Sequence, residues 1–128
     1  MIKILFVLAG GGIGSLLRYG VSGVFSKTGS GFPLGTLLVN LTGSFLIGLF
    51  WGVSEKAVFG NPNWKIFIFA GVLGGFTTFS AYGLESFNLL RAGKPMLALA
   101  NILLSNIFGI ALVGLGFLVS RYLIKHIF

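Results

Sequence analysis

The chain has 128 residues, of which 55% are hydrophobic and 9% charged, with a mean hydropathy of +1.01. A soluble domain of this size cannot hide that much apolar surface, so the composition is that of an integral membrane protein. Cysteine is absent, which excludes disulfides and thiolate metal sites, and the net charge of +7 is scattered without a basic run, which argues against a nucleic-acid surface.

Four spans account for nearly every residue and predict an all-α, four-helix transmembrane domain over 1–128. The first, about 2–25, has an early lysine and an apolar core like a signal peptide, but it stays apolar to Phe25, too long for a cleaved segment. It ends at the turn-rich loop "SKTGSGFP". The second, about 34–53, follows Pro33 and stops at "SEK"; the loop "AVFGNPN" then leads to Trp64, a residue suited to the membrane interface. The third, about 64–91, is interrupted by "GVLGGFTTFSAYGLESF". The fourth, about 95–124, opens on Pro95, suits a first helical turn and is long enough to tilt.

The basic residues sit near span ends, as interfacial anchors do. With four spans, Lys3, Lys56, Lys65, Arg121 and Lys125 share one face, and Lys27, Arg91 and Lys94 the other. Five against three is a weak orientation signal, so insertion both ways round, and an antiparallel homodimer, is one expectation.

Several of the 21 glycines recur four apart: Gly10 with Gly14, Gly48 with Gly52, Gly71 with Gly75. This spacing predicts close helix contacts. "GGGIG" lacks the strand and helix context of a dinucleotide site. Asn40, Ser44 and Gly48 form a four-residue repeat with Gly43 beside it, and Asn101, Ser105 and Gly109 repeat the device beside Asn106. Such stripes either line a water-filled path or hydrogen-bond helix to helix. Of the two carboxylates, Glu55 borders a loop, whereas Glu85 lies within the third span, where Arg18 is its expected counter-charge or ion-pair partner.

In "GGFTTFS" the glycines are expected to weaken the helix, and Thr77, Thr78 and Ser80 offer hydroxyls to the freed backbone. A broken helix exposes carbonyls to a hard cation and amides to an anion. Phe79 and Tyr82 lie three apart on the next turn, and the positive edge of an aromatic ring can meet an anion. A proton-coupled multidrug exporter remains an alternative, although span one lacks the mid-span carboxylate it would want. A non-transporting assembly subunit is another.

Taken together, "GGGIGSLLRYG", "GTLLVNLTGSFLIG" and "GVLGGFTTFSAYGLESF" resemble, in order and over the whole chain, the fluoride channels of the Fluc or CrcB family. The resemblance implies an antiparallel, dual-topology homodimer in the cell inner membrane, with two fluoride pores, a central structural sodium ion and no enzymatic activity. It implies carbonyl ligands for sodium at Gly74 and Thr77 of both subunits, and pore aromatics at Phe79 and Tyr82. Tyr82 departs from the usual phenylalanine. Asn40 matches a vestibular asparagine, Thr78 and Ser80 a polar track, and Ser105 the track's nearest counterpart in span four. Gly83, Gly109 and Val113 stand where hydroxyls occur in some members. Arg18 and Glu85 match an arginine and a glutamate of the pattern, assigned to a vestibule or a structural ion pair.

Overall fold

The computed structural model describes residues 1–26, 29, 31–55 and 61–127. The charges counted at Lys27 and Lys56, and parts of both predicted loops, lie outside the described residues. Helix α1 is Ile2–Ser26 and α2 is Leu34–Ser54. The third span divides into α3, over 63–76, and α4, Phe79–Arg91; the fourth is α5, over 95–127. Four stretches are long and apolar enough to cross a membrane, and no strand occurs among the described residues. Gly93, with φ of 68°, turns α4 into α5, a left-handed backbone that glycine adopts without steric cost.

Two helices contain wide turns with i→i+5 hydrogen bonding, at Ile66–Leu73 in α3 and Leu104–Phe108 in α5. Such turns change which residues stack on one face. The long i, i+4 polar stripe expected in the fourth span is interrupted by the second of them.

The helices meet through small residues, because lipid supplies no hydrophobic drive for helix association and van der Waals contact must do so. Helix α1 packs along α3, and α2 packs along the Gly109–Ile127 half of α5. A Cβ added at Gly10 would lie 2.6 Å from the Phe67 carbonyl oxygen and 2.9 Å from the Gly71 Cα. Likewise Gly14 meets the backbone of Val72, Gly48 that of Val113, Gly116 that of Phe45, and Gly52 the Ser120 side chain. The four-residue glycine spacing is thus a packing device. The apolar core is correspondingly thin, with Val39, Leu73, Phe76 and Ala98 among its few buried members, while Ile4, Leu8, Leu16 and Ile110 are exposed. At one end of the molecule the exposed Arg121 approaches Glu55 at 3.4 Å, a surface pair of little energetic weight.

Gly75→Val is expected to separate α1 from α3, since the new Cβ would lie 2.6 Å from the Gly11 carbonyl oxygen and backbone cannot rotate away. Overpacking of this kind costs on the order of 3 kcal/mol. Thermal denaturation in detergent should show a clearly lowered midpoint.

Candidate functional site

The third span breaks at Thr77 and Thr78, which are extended with φ, ψ of −76°, 157° and −150°, 121°. The break falls after the two glycines: Gly74 is helical, with φ −63° and ψ −38°, and Gly75 is inside α3. The two glycines expected to weaken the helix both remain helical, and Gly75 lies against the Gly11 backbone of α1. Two β-branched threonines, which favour extended backbone, occupy the non-helical positions instead.

Several backbone groups freed at the break have side-chain or backbone partners. Thr77 donates to the Leu73 carbonyl from its amide at 3.0 Å and from its hydroxyl at 2.9 Å. Thr78 is held by Asn40, whose Nδ2 donates to the Thr78 carbonyl at 2.9 Å and whose Oδ1 accepts from the Thr78 amide at 2.8 Å. The carboxamide thus pairs with the threonine as a neighbouring strand would. The Thr78 hydroxyl caps α4 by accepting from the Ala81 amide at 3.2 Å, and it lies 3.4 Å from the Ser80 hydroxyl. Gly43, three residues after Asn40, is buried, and any side chain there would overlap the Thr77 methyl group.

Beside the break lies a cleft of about 350 Å³, lined by Asn40, Gly43, Ser44, Thr77, Thr78 and Phe79 with Ile47, Phe69, Leu73 and Gly74. Asn40, Gly43 and Ser44 of the α2 stripe read from the sequence therefore border this cleft, whose wall is otherwise largely apolar, and Gly48 does not. Its expected partner stripe on the fourth span does not line it. Asn101 is almost wholly buried and donates from Nδ2 to the Ser86 hydroxyl at 3.0 Å, which in turn donates to the Tyr82 carbonyl at 2.8 Å. Asn106 donates to the Tyr82 phenol at 3.1 Å. These two asparagines both face α4, whereas the Gly109 Cα faces α2, where an added Cβ would lie 3.6 Å from the Ser44 hydroxyl. Ser105 is half-buried, and its hydroxyl is enclosed without a hydrogen-bond partner among the described residues.

Phe79 is 82% exposed on the subunit, and its ring centroid is 5.4 Å from that of Tyr82, tilted by 50°. The three-residue spacing therefore does bring the rings together. At the C-terminal end of α3 the last carbonyls lack intrahelical donors, as at any helix end. Gly74, exposed and without a side chain, borders the cleft together with Thr77.

Glu85 belongs to a second cavity, of about 470 Å³, whose wall includes Ser22, Thr36, Asn88 and Lys94. The Thr36 hydroxyl donates to Glu85 Oε1 at 2.7 Å, and Oε2 is buried without a partner among the described residues. Arg18 forms no ion pair among the described residues, so the counter-charge expected for Glu85 within the chain is replaced by a neutral hydroxyl. Thr36 and Ser86 are site residues beyond those expected from the sequence. A signal for Thr36 existed, since Thr36, Asn40 and Ser44 continue one four-residue repeat along α2.

Fold and site together define a multi-pass membrane protein in which a stretch long and apolar enough to cross the membrane is interrupted by non-helical backbone beside a cleft that holds Asn40, Ser44, Thr77 and Thr78, an arrangement associated with ion and solute paths. The chain belongs to the CrcB family: residues 5–117 match the family described as "CrcB-like protein, Camphor Resistance (CrcB)". Among similar proteins, one from Parabacteroides distasonis named fluoride-specific ion channel FluC is 44% identical over 128 residues, covering 99% of each chain. A protein of the same name from Salinibacter ruber is 45% identical over 91% of this chain and 87% of its own. One from Pyrococcus horikoshii is 43% identical over 92% and 95% respectively.

Proposed function

We propose that this protein is a passive, fluoride-selective ion channel that exports cytoplasmic fluoride across the cell inner membrane. The observation that carries the reading is the interrupted third span, clamped by Asn40 and opening beside Phe79, in a chain whose relatives are named fluoride channels. Fluoride is small and strongly hydrated, so a pore must exchange its water for protein donors. The break supplies them: the second amide hydrogen of Asn40, the hydroxyls of Thr78 and Ser80, and the ring edges of Phe79 and Tyr82; Ser105, enclosed away from this cleft, enters the scheme only as the span-four contact that the family resemblance implies. The start of α4 adds the positive end of a helix dipole at the same place. An interior-negative membrane potential drives the anion outward by about 2.3 kcal/mol per charge per 100 mV.

The functional unit is an antiparallel, dual-topology homodimer with two pores. The thin core and wide apolar exterior are compatible with a partner subunit as well as lipid. A structural sodium ion would be held by the carbonyls of Gly74 and Thr77. Those carbonyls suit a hard cation, they sit at an open helix end, and among the described residues no three His, Cys, Asp or Glu side chains gather to offer another donor set. One subunit would offer this pair, and a two-fold axis through the break would double it. Bound there, the cation supplies a fixed positive charge near the anion path. Arg18 and Glu85 belong to the vestibule reading.

Purified protein in vesicles loaded with fluoride and held at a clamped potential tests the proposal. Electrogenic fluoride release, far above that of empty vesicles and without chloride release, is expected. Release that instead requires a pH gradient would replace the channel with a coupled transporter. Prolonged removal of sodium should lower the release rate, and indifference to sodium would remove the cation from the scheme.

A further inference from the structure

The hydrogen bonds around Tyr82 have a direction that can be worked out from their partners. Asn106 Nδ2 lies 2.8 Å from the Ile102 carbonyl oxygen and 3.1 Å from Tyr82 Oη. A carbonyl oxygen only accepts, so the amide atom facing Ile102 must be the nitrogen. An amide nitrogen only donates, and its second hydrogen is the one available to the phenol. Tyr82 Oη is therefore the acceptor in this pair, and its own hydrogen is directed elsewhere. Among the described residues no acceptor receives it.

The placement of Asn106 depends on the wide turn at Leu104–Phe108. Asn101 and Asn106 are five apart, a spacing that sets two side chains well round from each other on an ideal α-helix and stacks them where hydrogen bonds run i→i+5. Both consequently reach α4, Asn101 at Ser86 and Asn106 at Tyr82. The Tyr82 ring touches Phe79, which lines the cleft at the break. An O–H that accepts from an amide becomes the stronger donor, through the mutual polarisation of linked hydrogen bonds.

We propose that Asn106 is a positioning residue that turns the Tyr82 phenol into a hydrogen-bond donor for an anion passing Phe79. The inference rests on the fluoride reading for the identity of that anion. It adds a hydroxyl donor at a point where a phenylalanine would offer only a ring edge. Among halides fluoride accepts such a bond most strongly, so the device favours fluoride over larger halides.

Half-saturating fluoride concentrations for flux, measured on reconstituted Tyr82→Phe, Asn106→Leu and the double variant, test the coupling. Each single substitution is expected to raise that concentration about tenfold, in keeping with loss of one hydrogen bond to a charged group. The double variant should be no worse than either single one. Effects that multiply, or Tyr82→Phe protein indistinguishable from the unaltered channel, would overturn the proposal.

A vibrational spectrum of isotope-labelled tyrosine in detergent, isolated by subtracting the Tyr82→Phe protein, reports the hydrogen-bonding state of this phenol without transport. A hydroxyl that accepts from Asn106 and donates only to water is expected before fluoride is added, and a more strongly donating one afterwards, with Asn106→Leu abolishing the accepting signature. A phenol whose donating signature ignores fluoride, or that shows no accepting signature in the unaltered protein, overturns the assignment. Absence of fluoride release by the unaltered protein would defeat the channel reading alone, and the fluoride-induced change at Tyr82 would still decide this one.

Discussion

Asn40→Leu is expected to lower stability by about 2–4 kcal/mol and to remove most fluoride flux. Leucine matches asparagine in shape but can neither donate to the Thr78 carbonyl nor accept from its amide, two bonds of 2.9 and 2.8 Å in the native protein. A backbone group left without a partner away from water costs about 1–3 kcal/mol, and lipid offers no replacement. The Thr78 carbonyl is also at the start of α4, so its loss is softened by the helix, and the stranded amide carries more of the cost. Asn40→Asp, which keeps an acceptor for that amide and loses the donor, should fall between the two proteins. Detergent thermal melts and vesicle flux measured on the same preparations check both parts. An Asn40→Leu protein of native stability would mean that the clamp does not hold the break.

Phe79→Ile should separate function from folding. The side chain is 82% exposed on the subunit, so its truncation removes little intrasubunit packing, and the melting midpoint of the subunit fold should hardly move. Flux should fall by about tenfold or more, the equivalent of roughly 1.4 kcal/mol or more at the barrier, because isoleucine has no positive ring edge to offer an anion. Phe79→Tyr retains the edge and should retain substantial flux. Full conduction by Phe79→Ile would take this ring out of the path.

Much of the architecture is legible in the residues because lipid is a demanding solvent. Every crossing segment must satisfy its own backbone and present apolar side chains, so hydropathy alone brackets α1, α2 and the two long spans that follow. The interruption in the third span is legible for the same reason in reverse, since "GGFTTFS" is poor material for an uninterrupted membrane helix. The extended residues, Thr77 and Thr78, fall within that segment and after its glycines. Glycine weakens a helix in isolation, but Gly75 lies against the Gly11 backbone, and close contact there favours the helix that glycine would otherwise destabilise.

The Glu85 environment departs from the sequence expectation for a related reason. Opposite charge suggests a partner, but attraction does not specify distance, and the Thr36 hydroxyl at 2.7 Å was already on the adjoining helix. The fourth-span stripe was read with α-helical spacing, and the wide turn at Leu104–Phe108 redirects Asn101 and Asn106 toward α4. No residue in "LSNIF" announces that turn, because its hydrogen-bond register is settled by the neighbours it packs against.

By itself the sequence determined the membrane setting, the four crossings, the glycine contacts and the presence of a hydroxyl-rich interruption, all of which follow from solvent and local geometry. Only the tertiary structure decided that Asn40 clamps Thr78, that Thr36 meets Glu85 in place of Arg18, and that Asn106 serves Tyr82. Each of those is a pairing between residues far apart in the chain, and hydrogen bonds of limited reach select partners by position, which the packing of the helices alone supplies.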